Sequence, residues 1–185
     1  GFKLGLEFFA ANGPDAVRVI VDSGLKVFLD LKFHDIPNTV AGSVCAAAAT
    51  GASIINVHAS GGLDMMRAAG EAAAEGAERH GVAKPIVVAV TVLTSLDTLD
   101  LDRVGQYGPV DEQVLRLAQL TKDAGLDGVV CSPAESAAVR DTCGEKFVRI
   151  VPGIRPSWAA TDDQKRITTP RQALDAGATH LVIGR

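Results

Sequence analysis

Residues 27–39 read VFLDLKFHDIPNT. Three apolar residues, Val27-Phe28-Leu29, lead into Asp30, Lys32 and Asp35. Side chains on a strand alternate with period two, so Asp30 and Lys32 are expected on one face. Pro37 cannot continue a central strand and suits the first turn of a helix. The stretch therefore predicts a buried strand that delivers two carboxylates and an amine to its C-terminal end. Burying such charges is costly unless they are paired. A structural ion pair would account for the cluster, but sites of chemistry are where such groups concentrate.

Outward from this stretch, one phrase recurs: a helix ending in Gly, then an apolar run. Ser23-Gly24-Leu25 precedes KVFLDL and Thr50-Gly51-Ala52 precedes SIINVHA. Ala124-Gly125-Leu126 precedes DGVVCS and Ala176-Gly177-Ala178 precedes THLVIG. Gly at a helix C-terminus takes the left-handed conformation that other residues resist. Largely continuous apolar strands suit a parallel sheet covered on both faces. Strands are expected at 1–5, 26–32, 53–58, 85–91, 127–132, 147–152 and 179–184. Helices fit at 14–23, 37–50, 62–78, 110–124, 133–143 and 169–176, with a short one near 96–105. Pro14, Pro37, Pro133 and Thr169-Pro170 mark helix starts.

Seven strands in β/α alternation fall one short of an eight-stranded barrel. The expectation is an α/β fold, a single (β/α)₈ TIM barrel over 1–185 lacking its first strand and final helix. An open doubly wound sheet could use the same alternation, but no Gly-rich dinucleotide loop follows an early strand.

Composition narrows the function classes. The 185 residues are 47% hydrophobic and carry a net charge of −4. That suits a globular core and gives no global attraction to nucleic acid or anionic membrane. A local phosphate site is compatible with an acidic chain. Cys45, Cys131 and Cys143 have no paired spacing, and read as reduced thiols of a cytoplasmic protein. No signal peptide or membrane span is visible, and no His/Cys/carboxylate set has metal-ligand spacing.

Barrel active sites lie at the C-terminal strand ends. Lys3, Asp30, Lys32, His58, Ser60, Thr94, Ser132, Arg155 and Arg185 are expected there. Arg155 and Arg185, with Gly184, follow the last two strands, where barrels commonly bind phosphate. A polar stretch containing Gln164 follows Arg155; a connection that long is usually functional. His34 and His58 read as orienting or packing residues.

These residues also carry a resemblance. Asp30-Leu31-Lys32-Phe33-His34-Asp35-Ile36-Pro37-Asn38-Thr39, preceded by Phe2-Lys3-Leu4-Gly5, resembles the orotidine 5′-monophosphate decarboxylases. Asn56-Val57-His58-Ala59-Ser60-Gly61-Gly62, Val92-Leu93-Thr94-Ser95, Pro152-Gly153-Ile154-Arg155-Pro156 and Ile183-Gly184-Arg185 fit the same family in order. The resemblance implies decarboxylation to uridine 5′-monophosphate without metal or cofactor. It implies a charged tetrad of Lys3, Asp30, Lys32 and Asp35, with Lys32 protonating the carbon that loses carbon dioxide. It further implies a homodimer with shared sites, in which Asp35 and Thr39 reach the ribose of the neighbouring subunit's substrate. Thr94 would contact the pyrimidine, and Arg155, Gln164 and Arg185 the phosphate, under a closing loop at 154–168. The family's substrate-binding aspartate on the first strand has no counterpart here.

Two other readings share some of these features. Magnesium-dependent sugar-phosphate decarboxylases or aldolases share the Asp-x-Lys-x-x-Asp pattern, but would place a metal-binding carboxylate where Lys3 stands. Glu7 is nearby in sequence yet should have left the strand end. The other is an inactive phosphate-ligand-binding fragment, against which the intact charged cluster argues.

Overall fold

The computed structural model describes residues 1–155 and 168–184. Its strands are β1 (Phe2–Gly5), β2 (Val27–Phe33), β3 (Ile54–His58), β4 (Ile86–Val90), β5 (Gly128–Val130), β6 (Val148–Ile154) and β7 (His180–Ile183). All pair in parallel, in the order of the sequence. Helices α1 (Leu6–Asp22), α2 (Pro37–Ala48), α3 (Leu63–His80), α4 (Thr98–Arg103), α5 (Val110–Asp123), α6 (Ser136–Cys143) and α7 (Pro170–Asp175) connect them. Sequential order excludes a doubly wound sheet, whose order reverses at a switch point.

Packing shows that the sheet curls into a nearly closed barrel. Phe28 of β2, Val88 of β4 and Ile150 of β6 form one buried cluster, against which Ile54, Val130 and Val182 of β3, β5 and β7 pack. β2 and β7 are five strands apart, roughly 24 Å in a flat sheet at ~4.8 Å per strand. They share a cluster only because the sheet bends round on itself. The alternate residues Leu29, Ile55, Val87, Val129 and Val151 face outward into clusters with helix residues. Helix-terminal Gly24, Gly51, Gly125 and Gly177 all have positive φ, as the recurring phrase predicts. Gly128 has a different reason: a Cβ there would lie 2.1 Å from the Val148 carbonyl oxygen on β6.

Three boundaries differ from expectation. Helix α1 starts at Leu6, and Gly13 (φ 71°, ψ −173°) breaks it before Pro14. Asn12-Gly13-Pro14 does open a helix, but residues 6–12 form a helical stretch of their own because Phe8 and Phe9 pack against the core beside β1. Helix α6 starts at Ser136 rather than Pro133, because the Glu135 carboxylate bends back to accept the Ser132 N–H at 2.8 Å. A 3₁₀ turn, Ala59–Gly61, precedes α3. Among the described residues no helix is long and apolar enough to cross a membrane.

A charged residue that sequence reasoning passed over lies at the opposite end of the barrel from the strand C-termini. Arg149, near the start of β6, is 3% exposed. Its guanidinium donates to the carbonyls of Gly177 and Phe147, both at 2.6 Å, and to those of Gly144 and Glu145 at 3.3 Å. It thereby ties the chain after α6 to the chain after α7. Arg149→Met should lower stability by about 3 kcal/mol, since it strands several buried carbonyls. Chemical denaturation checks this, with active-site chemistry unchanged in the folded fraction.

Candidate active site

Parallel strands put every strand C-terminus at one end of the barrel, and most of the predicted site residues collect there. Lys3 lies on β1, Asp30 and Lys32 on β2, and His58 closes β3. Thr94 sits in the exposed turn after β4. Arg155 follows β6, half-buried, and its N–H donates to the Thr168 carbonyl at 3.1 Å. Gly184 follows β7 and is exposed. Gln164, Arg185 and residues 156–167 of the expected closing loop lie outside the described residues.

Three of the predicted charges form one array. The Asp30 carboxylate lies between two ammonium groups, with Lys32 Nζ 2.6 Å from Oδ1 and Lys3 Nζ 2.9 Å from Oδ2. Lys3 is paired with Phe28, two residues below Asp30 on the strand ladder, so its long side chain must climb to reach the carboxylate. The side chain of Asp30 is 9% exposed, those of Lys32 and Lys3 29% and 37%. Burial alone would raise the Asp30 pKa. Hydrogen bonds from Lys32, Lys3 and Asn56 outweigh it and hold the carboxyl below its usual range. With both lysines charged, two cations face one anion and the array presents a net positive charge to the barrel mouth.

Simple strand alternation does not place Lys32. Between Leu29 and Phe33, β2 advances four residues while β3 advances two, from Ile55 to Val57. Lys32 lies in this bulge at φ 52°, the one non-glycine residue with positive φ among the described residues. A left-handed backbone costs a lysine about 1–2 kcal/mol. Bulges of this kind re-aim side chains beside active sites. Here the ammonium is turned back onto Asp30 within its own strand.

Asn56, which sequence reasoning quoted only as part of a matching stretch, is a site residue to which it gave no role. It is fully buried on β3, accepts the Lys32 N–H at Oδ1 (2.8 Å) and donates from Nδ2 to Asp30 Oδ1 (2.7 Å). The available signal was an asparagine inside the apolar run Ile54-Ile55-Asn56-Val57, a polar side chain with no reason to be in a core unless it is bonded.

Asp35 does not join the array of its own chain. It is exposed, and its Oδ1 accepts the adjacent Ile36 N–H at 2.6 Å. With His34, Ile36, Pro37, Ser60 and Gly61 it lines a shallow open depression. Thr39, one turn into α2, is also exposed. The rings of His34 and His58 lie 5.4 Å apart. Burial, with His34 and Lys32 nearby, pushes the His58 pKa down, so its imidazole is neutral at pH 7. That suits an orienting or packing role.

The chain is similar to known proteins along its whole length. The family model described as "Orotidine 5'-phosphate decarboxylase / HUMPS family" matches residues 1–185. The chain is 55% identical over 183 residues to an orotidine 5′-phosphate decarboxylase of Alkalilimnicola ehrlichii, covering 99% of this chain and 76% of that protein. It is 53% identical to one of Paramagnetospirillum magneticum, covering 100% and 79%. A crystal structure of orotidine 5′-phosphate decarboxylase from Lactobacillus acidophilus superposes with a TM-score of 0.86 at 39% identity, covering 99% of this chain and 77% of that one.

Proposed function

The chain belongs to the orotidine 5′-phosphate decarboxylase / HUMPS family, and from that premise we propose how its own residues carry out the decarboxylation of orotidine 5′-phosphate to uridine 5′-phosphate. The observation that carries this reading is the buried Asp30 carboxylate held between the Lys3 and Lys32 ammonium groups at the barrel mouth. The substrate carboxylate lies against Asp30. Two like charges ~4 Å apart repel by ~4 kcal/mol at an effective dielectric of ~20. That repulsion ends when the carbon–carbon bond breaks and neutral carbon dioxide leaves.

The electron pair stays on the ring carbon. The Lys32 ammonium stabilises it there more than in the ground state, which is what accelerates the step. Lys32 then gives its proton to that carbon, forming the C–H bond. The resulting amine regains a proton from solvent, so the balance is substrate plus one proton giving product plus carbon dioxide. Lys3 keeps Asp30 ionised and in place. Thr94 contacts the pyrimidine, while Arg155, Gln164, Arg185 and the Gly184 backbone hold the phosphate.

Metal-free chemistry is the better reading of this donor set. Both Asp30 oxygens are already engaged by ammonium groups, and a divalent cation would enter a site whose charge is already positive. Glu7, the carboxylate nearest Lys3 in sequence, is exposed on α1. The test is loss of orotidine 5′-phosphate absorbance with a chelator present. Turnover of a sugar phosphate instead, silenced by the chelator, would overturn the reading.

The protein acts as a cytoplasmic homodimer in which Asp35 and Thr39 complete the partner's site. The exposure of Asp35 and Thr39, beside an Ile36 that is 67% exposed, supports the shared site. Mixing Asp35→Ala and Lys32→Ala subunits tests it. Each mixed dimer would hold one site with both residues intact, so random reassortment of two inactive proteins should restore about a quarter of wild-type activity. Absence of any recovery from dimers shown to exchange subunits would remove the shared site.

A further inference from the structure

We infer that Asn56 is a positioning residue for the reaction: its amide clamps the Asp30 carboxylate and the Lys32 main chain together, fixing the catalytic ammonium in its left-handed bulge. The inference rests on the assignment of Lys32 and Asp30 to the chemistry.

Asn56 bonds in two directions, and both ends are functional. Its Oδ1 takes the Lys32 N–H at 2.8 Å, and its Nδ2 gives a hydrogen to Asp30 Oδ1 at 2.7 Å. Asp30 Oδ1 is also the atom that receives Lys32 Nζ. Asn56, the Asp30 carboxylate, the Lys32 side chain and the Lys32 N–H thus close a ring. The bulge takes Lys32 out of the regular β2–β3 ladder, whose register resumes at Phe33↔Val57. The Asn56 side chain supplies the acceptor for its N–H in place of a ladder carbonyl. A left-handed non-glycine residue persists only where its surroundings over-determine it, and Asn56, with no exposed surface, provides such a constraint. Asn56 has no exposed surface with which to touch substrate, so its effect passes through Lys32 and Asp30.

Two variants separate positioning from mere core packing. Asn56→Leu removes both bonds. It should lower kcat by about 10²-fold, the effect of displacing a reacting group by about an ångström. KM should stay within about threefold, since the phosphate contacts are remote. Hydrogen exchange at the Lys32 amide should quicken. Asn56→Asp keeps the acceptor and, while it shares a proton with Asp30, also the donor. Two carboxylates in contact hold one proton to a raised pKa. This variant should therefore be active at low pH and lose activity as pH rises through that ionisation, a limb the wild type lacks.

Both variants are run beside Lys32→Ala in the intact protein. Wild-type kcat in Asn56→Leu, or an equal loss in both variants at every pH with Lys32 amide exchange unchanged, would overturn the inference. If Asn56→Leu does not fold, the Asn56→Asp pH profile decides alone. Undiminished turnover in Lys32→Ala would instead refute the role of the array itself.

Discussion

Lys32→Ala should lower kcat by about 10⁴-fold or more while leaving the protein folded. Two losses combine in this one substitution. A general acid contributes about 10²–10⁴-fold, and a fixed charge aimed at developing charge about 10²–10³-fold. Since one ammonium does both, the losses are not simply multiplied. The main-chain bond from residue 32 to Asn56 survives in the variant, and alanine faces the same left-handed conformation as lysine, so the bulge keeps its anchor. Substrate binding through the phosphate should change little, and KM should move far less than kcat. Absorbance loss of orotidine 5′-phosphate under single-turnover conditions is the measurement. Residual activity within tenfold of wild type would require a different proton donor.

Asp30→Asn should be the next most damaging change, with kcat lower by about 10³-fold. Asparagine keeps the shape but loses the charge that holds Lys3 and Lys32 at 2.9 and 2.6 Å. The two ammonium groups then repel each other and leave their positions. Repulsion of the substrate carboxylate also disappears, so KM should stay level or fall while kcat drops, the signature of lost ground-state strain.

The same variant has a stability signature. The folded pKa of Asp30 lies below that of an unfolded aspartate, near ~3.9. Its charge therefore contributes stability that is fully present above that value and is lost as pH falls through the folded pKa. Asp30→Asn should be less stable by about 2 kcal/mol at pH 7. This is below the ~3–5 kcal/mol of a fully buried pair because both lysines keep contact with water. The melting temperatures of variant and wild type should begin to converge as pH falls below ~4 and meet only below the folded pKa. A constant gap across that range would mean that the Asp30 charge does not support the fold.

Much of this architecture is legible along the chain. Local rules govern the alternation of strand and helix: glycine at helix ends, proline at helix starts and continuous apolar strands, each effect confined to neighbouring residues. They place the strand starts to within a residue or so, and put Lys3, Asp30 and Lys32 at the mouth of a barrel. They misplace the starts of α1 and α6. There a tertiary contact, Phe8 and Phe9 on the core in one case and the Glu135 carboxylate on Ser132 in the other, overrides the proline signal. Arg149 was illegible for a related reason: apart from the exposed Glu145 carboxylate at 4.0 Å, its partners are carbonyls, which no sequence distinguishes.

Sequence by itself determined the fold class and the end of the barrel that carries the site, because strand period and chain direction follow from local backbone geometry. It brought Lys3, Asp30 and Lys32 to that end but also counted Asp35 into a cluster that Asp35 does not join. Only the tertiary structure decided how they meet. The two extra residues of β2, the left-handed Lys32 and the Asn56 clamp arise from the register between β2 and β3. Register depends on packing between strands separated by a whole helix, a balance of many contacts that no short stretch of the chain encodes.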